Sequence, residues 1–158
     1  MEYRKLAELP KEVLETFFKE HWNDTQMAIR GQLFHLLDSE GFVAMDNQNI
    51  LGIITWQIID KQFEILSLDS LKPREGIGSQ LLALVEEKAR LLGFRNCHLT
   101  TTNDNLVALS FYQKRGYHIA RVFPNAVTKA RQLKPSIPLI SENGIPIRDE
   151  LELIKPLN

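Results

Sequence analysis

Between Phe63 and Thr102 the sequence runs through an apolar strand, a glycine-containing turn, a long amphipathic helix and a second strand. The helix is predicted to begin near Gly76, to bury apolar residues spaced three and four apart, and to end at Gly93 as a left-handed cap. A strand–helix–strand unit of this length forms a right-handed crossover, so the two strands are expected to be parallel neighbours. This unit places the chain in the α/β class.

Two helices are predicted near the start of the chain, after a short strand over Glu2–Leu6. Pro10 suits the first turn of the first helix, whose apolar residues recur at helical spacing as far as Trp22. The second helix is predicted from the Asp24-Thr25 pair, where either residue can act as the cap, to Gly41.

An antiparallel meander is predicted next, with strands over Phe42–Met45, Ile50–Ile58 and Phe63–Leu68. Turn residues separate these apolar runs, first Asp46–Asn49 and then Asp60-Lys61. Three antiparallel strands joined by short turns are the simplest interpretation.

After the crossover, the sequence predicts a helix from Asn105 to Gly116, a strand over Tyr117–Phe123 and a last strand over Glu150–Ile154. Residues 124–148 lie between the last two strands. They begin with a short helix and continue through a proline-rich stretch that excludes regular structure. Because this stretch is also rich in isoleucine and leucine, we expect an ordered insertion or lid within a single domain of residues 1–158.

Composition excludes several classes of function. Nineteen basic and 20 acidic side chains give a net charge of −1, which provides no basic field for nucleic acid or a membrane surface. The single cysteine and the lack of an apolar signal core predict a cytoplasmic protein. The four histidines have no metal-binding spacing, so no metal is predicted.

The glycine turn has the chemistry of a pyrophosphate cradle. Gly76 and Gly78 permit close approach to backbone N–H groups at a helix N-terminus, Ser79 adds a hydroxyl and Arg74 adds charge. The dinucleotide-binding pattern fits poorly, because Leu81 stands where a third glycine belongs, and the Gly-Lys-Ser/Thr of nucleotide triphosphatases is missing. The alternative is that the glycines only allow tight packing of the helix on the strand.

A second motif lies one helix and one strand later. It reads Asn105-x-x-Ala108-x-x-x-Tyr112 and closes at Gly116-Tyr117. Together the two motifs resemble the GNAT superfamily of acetyl-CoA-dependent N-acetyltransferases. That family carries a Gln/Arg-x-x-Gly-x-Gly/Ala signature before a helix, and later an Asn-x-x-Ala-x-x-x-Tyr helix. The chain departs from the first signature where Pro73 replaces Gln/Arg, and Arg74 is the adjacent substitute.

The resemblance implies the GNAT fold, a mixed sheet of about seven strands with helices on both faces. Its N-terminal meander is antiparallel, and its fourth and fifth strands are parallel and splayed apart. It also implies transfer of acetyl from acetyl-CoA to a primary amine by direct attack in a ternary complex. The acceptor is a small-molecule or peptide amine, and the protein is a monomer or homodimer. The alternative is an acyl-CoA-binding sensor or interaction module without transferase activity.

The resemblance also assigns residues to the cofactor. In the family, backbone of the fourth strand holds the pantetheine arm like an added strand, which by position falls at Leu66 and Leu68. The matching positions for the rest of acetyl-CoA are Arg74, Glu75, Gly76, Ile77, Gly78, Ser79, Asn105 and Tyr112. The side chain of Glu75 is expected to point to solvent, and Asn105 has the alternative of only capping its helix.

Tyr112 matches the family's general acid, which protonates the departing thiolate, while its alternative is an ordinary packing residue beside Phe111. Glu64 and Asp69 are the carboxylates of the fourth strand, and strict alternation predicts that they lie on opposite faces. Glu64 is preferred as the base, because an acidic residue early on this strand has that role in several family members. Its alternative is a strand-end carboxylate in water.

Overall fold

The structure is a computed structural model that describes residues 1–22, 25–72 and 75–158. Within these ranges it has four α-helices, a mostly antiparallel seven-stranded sheet with one parallel pair, and a separate two-stranded ribbon. The mixed α/β fold class is therefore confirmed. In chain order the elements are β1 Glu2–Lys5, α1 Lys11–Trp22, β2 Gln26–Ile29, β3 Gln32–His35, β4 Glu40–Asp46, β5 Asn49–Ile59, β6 Gln62–Ser70, α2 Ile77–Leu91, β7 Asn96–Thr102, α3 Leu106–Gln113, β8 His118–Phe123, α4 Ala126–Leu133 and β9 Glu150–Pro156.

The residues fall into two compact units, of which the first comprises Met1–Thr25, His35–Cys97 and Leu157–Asn158. Its strands follow the order β1-β4-β5-β6, and each neighbouring pair is antiparallel. The predicted meander of β4, β5 and β6 is confirmed. Its second turn, Asp60-Lys61, has positive φ at both residues, as a tight hairpin turn requires.

Helix α2 packs on β4, β5 and β6 of this unit. Its buried residues include Leu81, Val85 and Ala89, which form the predicted apolar stripe. Gly93, with φ of +88°, ends the helix in the left-handed conformation, as predicted. The bounds of α2 therefore follow closely from its sequence.

The prediction of a second helix up to Gly41 is wrong. The described part of this stretch forms β2, β3 and a short 3₁₀ turn over Leu36–Asp38. Arg30 and Gly31 between the strands both have positive φ, 48° and 75°, which reverses the chain within two residues. The spacing of the apolar residues fits an amphipathic helix as well as a short hairpin. Gly31 favours the hairpin, because it adopts the positive φ that the turn requires. Asp24, one of the two predicted caps, lies outside the described residues.

The second unit comprises Gln26–Phe34 and His98–Pro156. Its sheet strands follow the order β7-β9-β8, with β8 and β9 antiparallel. Between α4 and β9 the described chain has one isolated bridge, Ile140 to Pro146. Arg131 donates from its guanidinium to three carbonyl groups of this segment, those of Ile137, Pro138 and Ile147. The role of residues 124–148 as a lid and the single-domain assignment stay predictions.

None of the helices in the described part of the chain is both long and apolar enough to cross a membrane.

Candidate active site

The predicted site residues divide between the two units. The first unit holds the β6 and α2 positions, which are Glu64, Leu66, Leu68, Glu75, Gly76, Ile77, Gly78 and Ser79. The second unit holds Asn105, which is the N-cap of α3, and Tyr112, which lies within α3. Arg74 and Pro73 lie outside the described residues.

Gly76 caps the N-terminus of α2 in the left-handed conformation, with φ of 77° and ψ of 5°. The first intrahelical donor is the Gln80 N–H, which bonds Gly76 O at 3.0 Å. The N–H groups of Ile77, Gly78 and Ser79 come before it and, by helix geometry, point out of the N-terminus. Glu75 is exposed, as expected. Within residues 75–79 the start of α2 therefore presents backbone N–H donors.

The space beside Gly76 is open in the described structure, since an added Cβ would meet no atom within 4 Å. The glycine requirement at this position comes from its backbone conformation and not from packing. A packing role belongs instead to Gly52 on β5. There an added Cβ would lie 2.9 Å from Ile77 Cγ2 and 3.1 Å from Leu81 Cδ1. Gly52, which the sequence argument missed, lets the first turn of α2 rest directly on the sheet.

Strand β6 contains a bulge that changes which of its side chains share a face. Thr55 of β5 pairs with Ser67, but the next residue, Trp56, pairs with Ile65, so β5 offers no residue opposite Leu66. Alternation along β6 is interrupted at Leu66. Glu64 therefore lies on the same face as Ser67.

The same register corrects the prediction that Glu64 and Asp69 lie on opposite faces. Glu64 pairs with Gln57 and Asp69 pairs with Ile53, and these two β5 residues share a face by ordinary alternation. The inserted Leu66 accounts for the error, because the extra residue restores both carboxylates to one face.

Polar groups line this face, which we call the polar row: the buried Ser39, Thr55, Glu64 and Ser67, and the half-buried Gln57. Thr55 Oγ1 and Ser67 Oγ lie 2.6 Å apart, and Gln57 Nε2 donates to Ser39 Oγ at 3.0 Å. Glu64 is only 1% exposed. Helix α2 packs on the opposite face, where Gly52 and Ile54 point. The alternative of a strand-end carboxylate in water does not describe Glu64.

Helix α3 is fixed at both ends by its motif residues. Asn105 Oδ1 accepts a hydrogen bond from Ala108 N–H at 3.2 Å, which caps the N-terminus. Gly116 has a φ of +95°, and the N–H of Tyr117 then donates to Tyr112 O at 3.1 Å. The capping alternative for Asn105 is thus realised through its side-chain oxygen, while a contact of its amide with the cofactor stays a prediction.

Tyr112 is held by aromatic neighbours and is 7% exposed. Its ring centroid lies 5.2 Å from that of Phe111 and 5.3 Å from that of Tyr117, both in edge-to-face geometry. Such contacts fix the orientation of the ring. An ordinary packing residue would make the same contacts, and a proton donor held in a fixed position needs them as well.

A buried carboxylate, Glu152 of β9, organises charges in the second unit. Arg121 donates two hydrogen bonds to it, from Nε at 2.8 Å and from Nη2 at 3.2 Å. Arg30, in the β2–β3 turn, donates from Nη1 at 3.2 Å. His98 Nδ1 lies 3.7 Å from Glu152 Oε2. These contacts attach the β2–β3 turn to the sheet of this unit.

The two glutamates of β9 have opposite pKa shifts. Burial raises the pKa of Glu150, and the Arg30 N–H that bonds its carboxylate only partly offsets this. Burial also acts to raise the pKa of Glu152, but the hydrogen bond and charge of Arg121 outweigh it, with further help from Arg30. The net pKa of Glu152 is lowered, so it is ionised at neutral pH.

No group of three or more histidine, cysteine, aspartate or glutamate side chains with metal-binding geometry occurs in residues 1–22, 25–72 and 75–158.

Comparison with known proteins gives consistent matches. The sequence model described as Acetyltransferase (GNAT) family matches residues 7–117. The uncharacterized protein YdhI of Bacillus subtilis (strain 168) is 49% identical over 152 residues, covering 96% of this chain and 95% of YdhI. A GNAT family acetyltransferase from Elizabethkingia anophelis, solved with acetyl-CoA bound, has a TM-score of 0.64 and 29% identity over 77% of this chain and 78% of its own. A Bacillus subtilis acetyltransferase in complex with CoA shares the fold, with a TM-score of 0.70 and 22% identity over 99% of this chain and 98% of its own.

Proposed function

Since the chain belongs to the Acetyltransferase (GNAT) family, we propose that it is an N-acetyltransferase using acetyl-CoA. The acetyl group passes to a primary amine of a small molecule or peptide by direct attack in a ternary complex. The observation that carries the proposal is the turn at Gly76, whose left-handed backbone begins α2 so that the N–H groups of residues 77–79 precede the first intrahelical donor. Relatives solved with acetyl-CoA and with CoA support this choice of cofactor.

In this proposal the pyrophosphate lies at the N-terminus of α2. The N–H groups of residues 76–79 donate to its oxygens, and the helix dipole favours its negative charge. Arg74 adds a cation. The pantetheine arm lies along β6 and bonds the backbone near Leu66 and Leu68, and Asn105 contributes a further contact. The bulge at Leu66 supports this, because it interrupts the regular pairing of β6 where the arm is placed.

Aminolysis of a thioester requires a neutral amine and a protonated leaving group. Glu64 accepts a proton from the acceptor ammonium, directly or through water. The neutral nitrogen then attacks the thioester carbonyl, and the C–S bond breaks as the tetrahedral intermediate collapses. Tyr112 gives its phenolic proton to the departing CoA thiolate, and the second proton that the nitrogen loses as the amide forms restores the Tyr112 phenol, directly or through water. Its burial among aromatic rings supports a fixed position for that proton.

We further propose a cytoplasmic protein that acts as a monomer or homodimer. Calorimetric titration with acetyl-CoA tests cofactor use, and saturable binding with a Kd below about 1 mM is expected, as for typical enzyme substrates. The absence of heat at millimolar ligand contradicts the proposal. Binding without thiol release in a library of amines favours the alternative, a sensor or interaction module.

A further inference from the structure

Asn103 joins two parts of the second unit that lie far apart in the sequence. It follows the last residue of β7, and Asp149 precedes the first residue of β9. The two strands are neighbours in the sheet, and the Asn103 N–H donates to Asp149 O at 3.0 Å. This bond continues the pairing of β7 with β9 up to the point where the chain turns into α3.

The side chain of Asn103 adds three hydrogen bonds to residues 146–149. Its Nδ2 donates to Pro146 O at 2.9 Å, and its Oδ1 accepts from the N–H groups of Arg148 at 2.9 Å and Asp149 at 3.0 Å. A carboxamide offers donors together with an acceptor that has two lone pairs, and Asn103 uses both. All three partners are backbone groups, so this side chain fixes the path of the segment 146–149 relative to the end of β7.

The segment 146–149 is held independently by the start of α4. The Asn125 N–H donates to Asp149 Oδ1 at 2.8 Å, and the Val127 N–H donates to Arg148 O at 3.1 Å. Asn103 is therefore bonded to a segment that α4 holds in place. This makes the segment an anchor for the residues that follow β7.

The residues that follow Asn103 lead directly into α3. Asn105 is the N-cap of α3, and its N–H donates to Thr102 O at 3.1 Å. The residue between Asn103 and Asn105 is fixed as well, because Asp104 O accepts from Asn143 Nδ2 at 2.9 Å. Since the turn of residues 102–105 is closed by its own hydrogen bond, a displacement of Asn103 also moves Asn105.

We infer that Asn103 is a positioning residue for acetyl-CoA, because it anchors the turn that presents Asn105 to the cofactor. This rests on the proposed function, in which the Asn105 side chain contacts acetyl-CoA. The far end of α3 is fixed separately, since the ring of Tyr112 packs against those of Phe111 and Tyr117. Asn103 should therefore affect the affinity for acetyl-CoA and not the donation of a proton by Tyr112.

The test is Asn103→Ala, studied by calorimetry with acetyl-CoA and by steady-state thiol release with an accepted amine. The substitution removes the three side-chain bonds and keeps the backbone bond to Asp149 O. The Kd and the KM for acetyl-CoA should rise about fivefold, as for the loss of one hydrogen bond to the cofactor, while kcat at saturating acetyl-CoA stays within about twofold of wild type. A purely structural residue would lower the free energy of unfolding and leave the Kd of the folded protein unchanged.

Asn103→Asp is the conservative variant. It keeps an oxygen that accepts from the Arg148 and Asp149 N–H groups and loses the donor to Pro146 O. Its Kd for acetyl-CoA should therefore lie between those of the wild type and Asn103→Ala.

Arg131→Lys is the matched control, because Arg131 holds the same proline-rich stretch to α4 through the carbonyl groups of Ile137, Pro138 and Ile147. Lysine keeps the charge but not the planar fork that makes these bonds. The variant should lose stability without a change in the Kd for acetyl-CoA.

Two results overturn the inference and leave the proposed function intact. One is an unchanged Kd in folded Asn103→Ala, and the other is an equal rise of Kd in Asn103→Ala and Arg131→Lys. If the wild type itself does not bind acetyl-CoA at millimolar ligand, the proposed function fails, and the inference fails with it.

Discussion

Glu64 and Ser67 project from the same face of β6, although strict alternation puts residues three apart on opposite faces. Leu66 causes this as the extra residue of a bulge. The bulge gathers Glu64, Ser67 and Thr55 into one buried polar row and leaves α2 on the other side of the sheet. The proposed base is thus placed in a polar environment by a single residue that has no partner on β5.

The cradle at the start of α2 is tested by Gly76→Ala. Alanine at a φ of +77° costs about 1 kcal/mol of folding free energy, and its methyl group is added at the turn that is proposed to bind the pyrophosphate. We expect the Kd for acetyl-CoA to rise about tenfold, measured by calorimetry.

Gly93→Ala is the control for this substitution. Gly93 lies beyond the other end of α2, with a φ of +88° and equally open space around it. The two variants should lose similar stability, but only Gly76→Ala should lose affinity. Equal loss of affinity in both variants contradicts a cradle at Gly76.

Tyr112→Phe separates proton donation from packing. The ring and its contacts with Phe111 and Tyr117 are kept, so stability and the Kd for acetyl-CoA should stay close to wild type. Loss of the acid should lower kcat about a hundredfold. Tyr117→Phe removes a hydroxyl from the ring that Tyr112 contacts and should leave kcat near wild type. A fall in kcat and affinity together assigns Tyr112 to binding or packing.

Gly52→Ala tests how α2 is seated on the sheet. The added methyl group meets Ile77 and Leu81, as well as Asp69 O at 2.8 Å, so the first turn of α2 must move. We expect a loss of about 2 kcal/mol in unfolding free energy together with weaker acetyl-CoA binding. Ile53→Val, on the opposite face of β5, should lose about 1 kcal/mol without a change in affinity. Unchanged affinity in Gly52→Ala shows that the position of α2 does not control binding.

Glu152→Gln and Glu150→Gln should have opposite effects on stability at neutral pH. Because the pKa of Glu152 is lowered, its ionised carboxylate stabilises the fold at pH values above the ordinary pKa of glutamate. This stabilisation is lost as the pH falls through the lower pKa of the folded state. Glutamine there leaves the Arg30 and Arg121 charges uncompensated, and about 3 kcal/mol should be lost at pH 7.

The raised pKa of Glu150 has the opposite effect on stability. The protonated carboxyl stabilises the fold at low pH, and this stabilisation is lost as the pH rises through the pKa of the folded state. Glu150→Gln should therefore be neutral or stabilising at pH 7, and it keeps an acceptor for the Arg30 N–H. Urea unfolding from pH 4 to 8 measures both variants. Equal destabilisation by Glu152→Gln and Glu150→Gln at pH 7 contradicts the opposite pKa shifts of the two glutamates.

Much of the fold follows from local sequence signals. Gly93, the Asp60-Lys61 turn and the caps Asn105 and Gly116 each mark an element boundary that the structure has. These signals are reliable because each depends on the backbone conformation of one or two residues. The two motifs also identify the family to which the chain belongs.

Features that depend on pairing between strands could not be predicted. The β2–β3 hairpin has apolar spacing that also suits a helix, and the Glu152 contacts that hold its Arg30 lie more than a hundred residues away in sequence. The bulge at Leu66 leaves only a weak mark in the sequence, where the alternation of apolar and polar residues slips at Ile65-Leu66. Only the register with β5 defines the extra residue. For that reason the prediction that Glu64 and Asp69 lie on opposite faces is wrong.

Acetyl transfer from acetyl-CoA to an amine is the proposed reaction of this protein. The most direct measurement is thiol release from acetyl-CoA by the wild-type protein over a library of primary amines, with mass spectrometry of each amine. We expect thiol release that depends on one class of amine, an equal amount of acetylated product, and near-complete loss of both in Glu64→Gln. Saturable acetyl-CoA binding without amine-dependent release or acetylated product contradicts a transferase function.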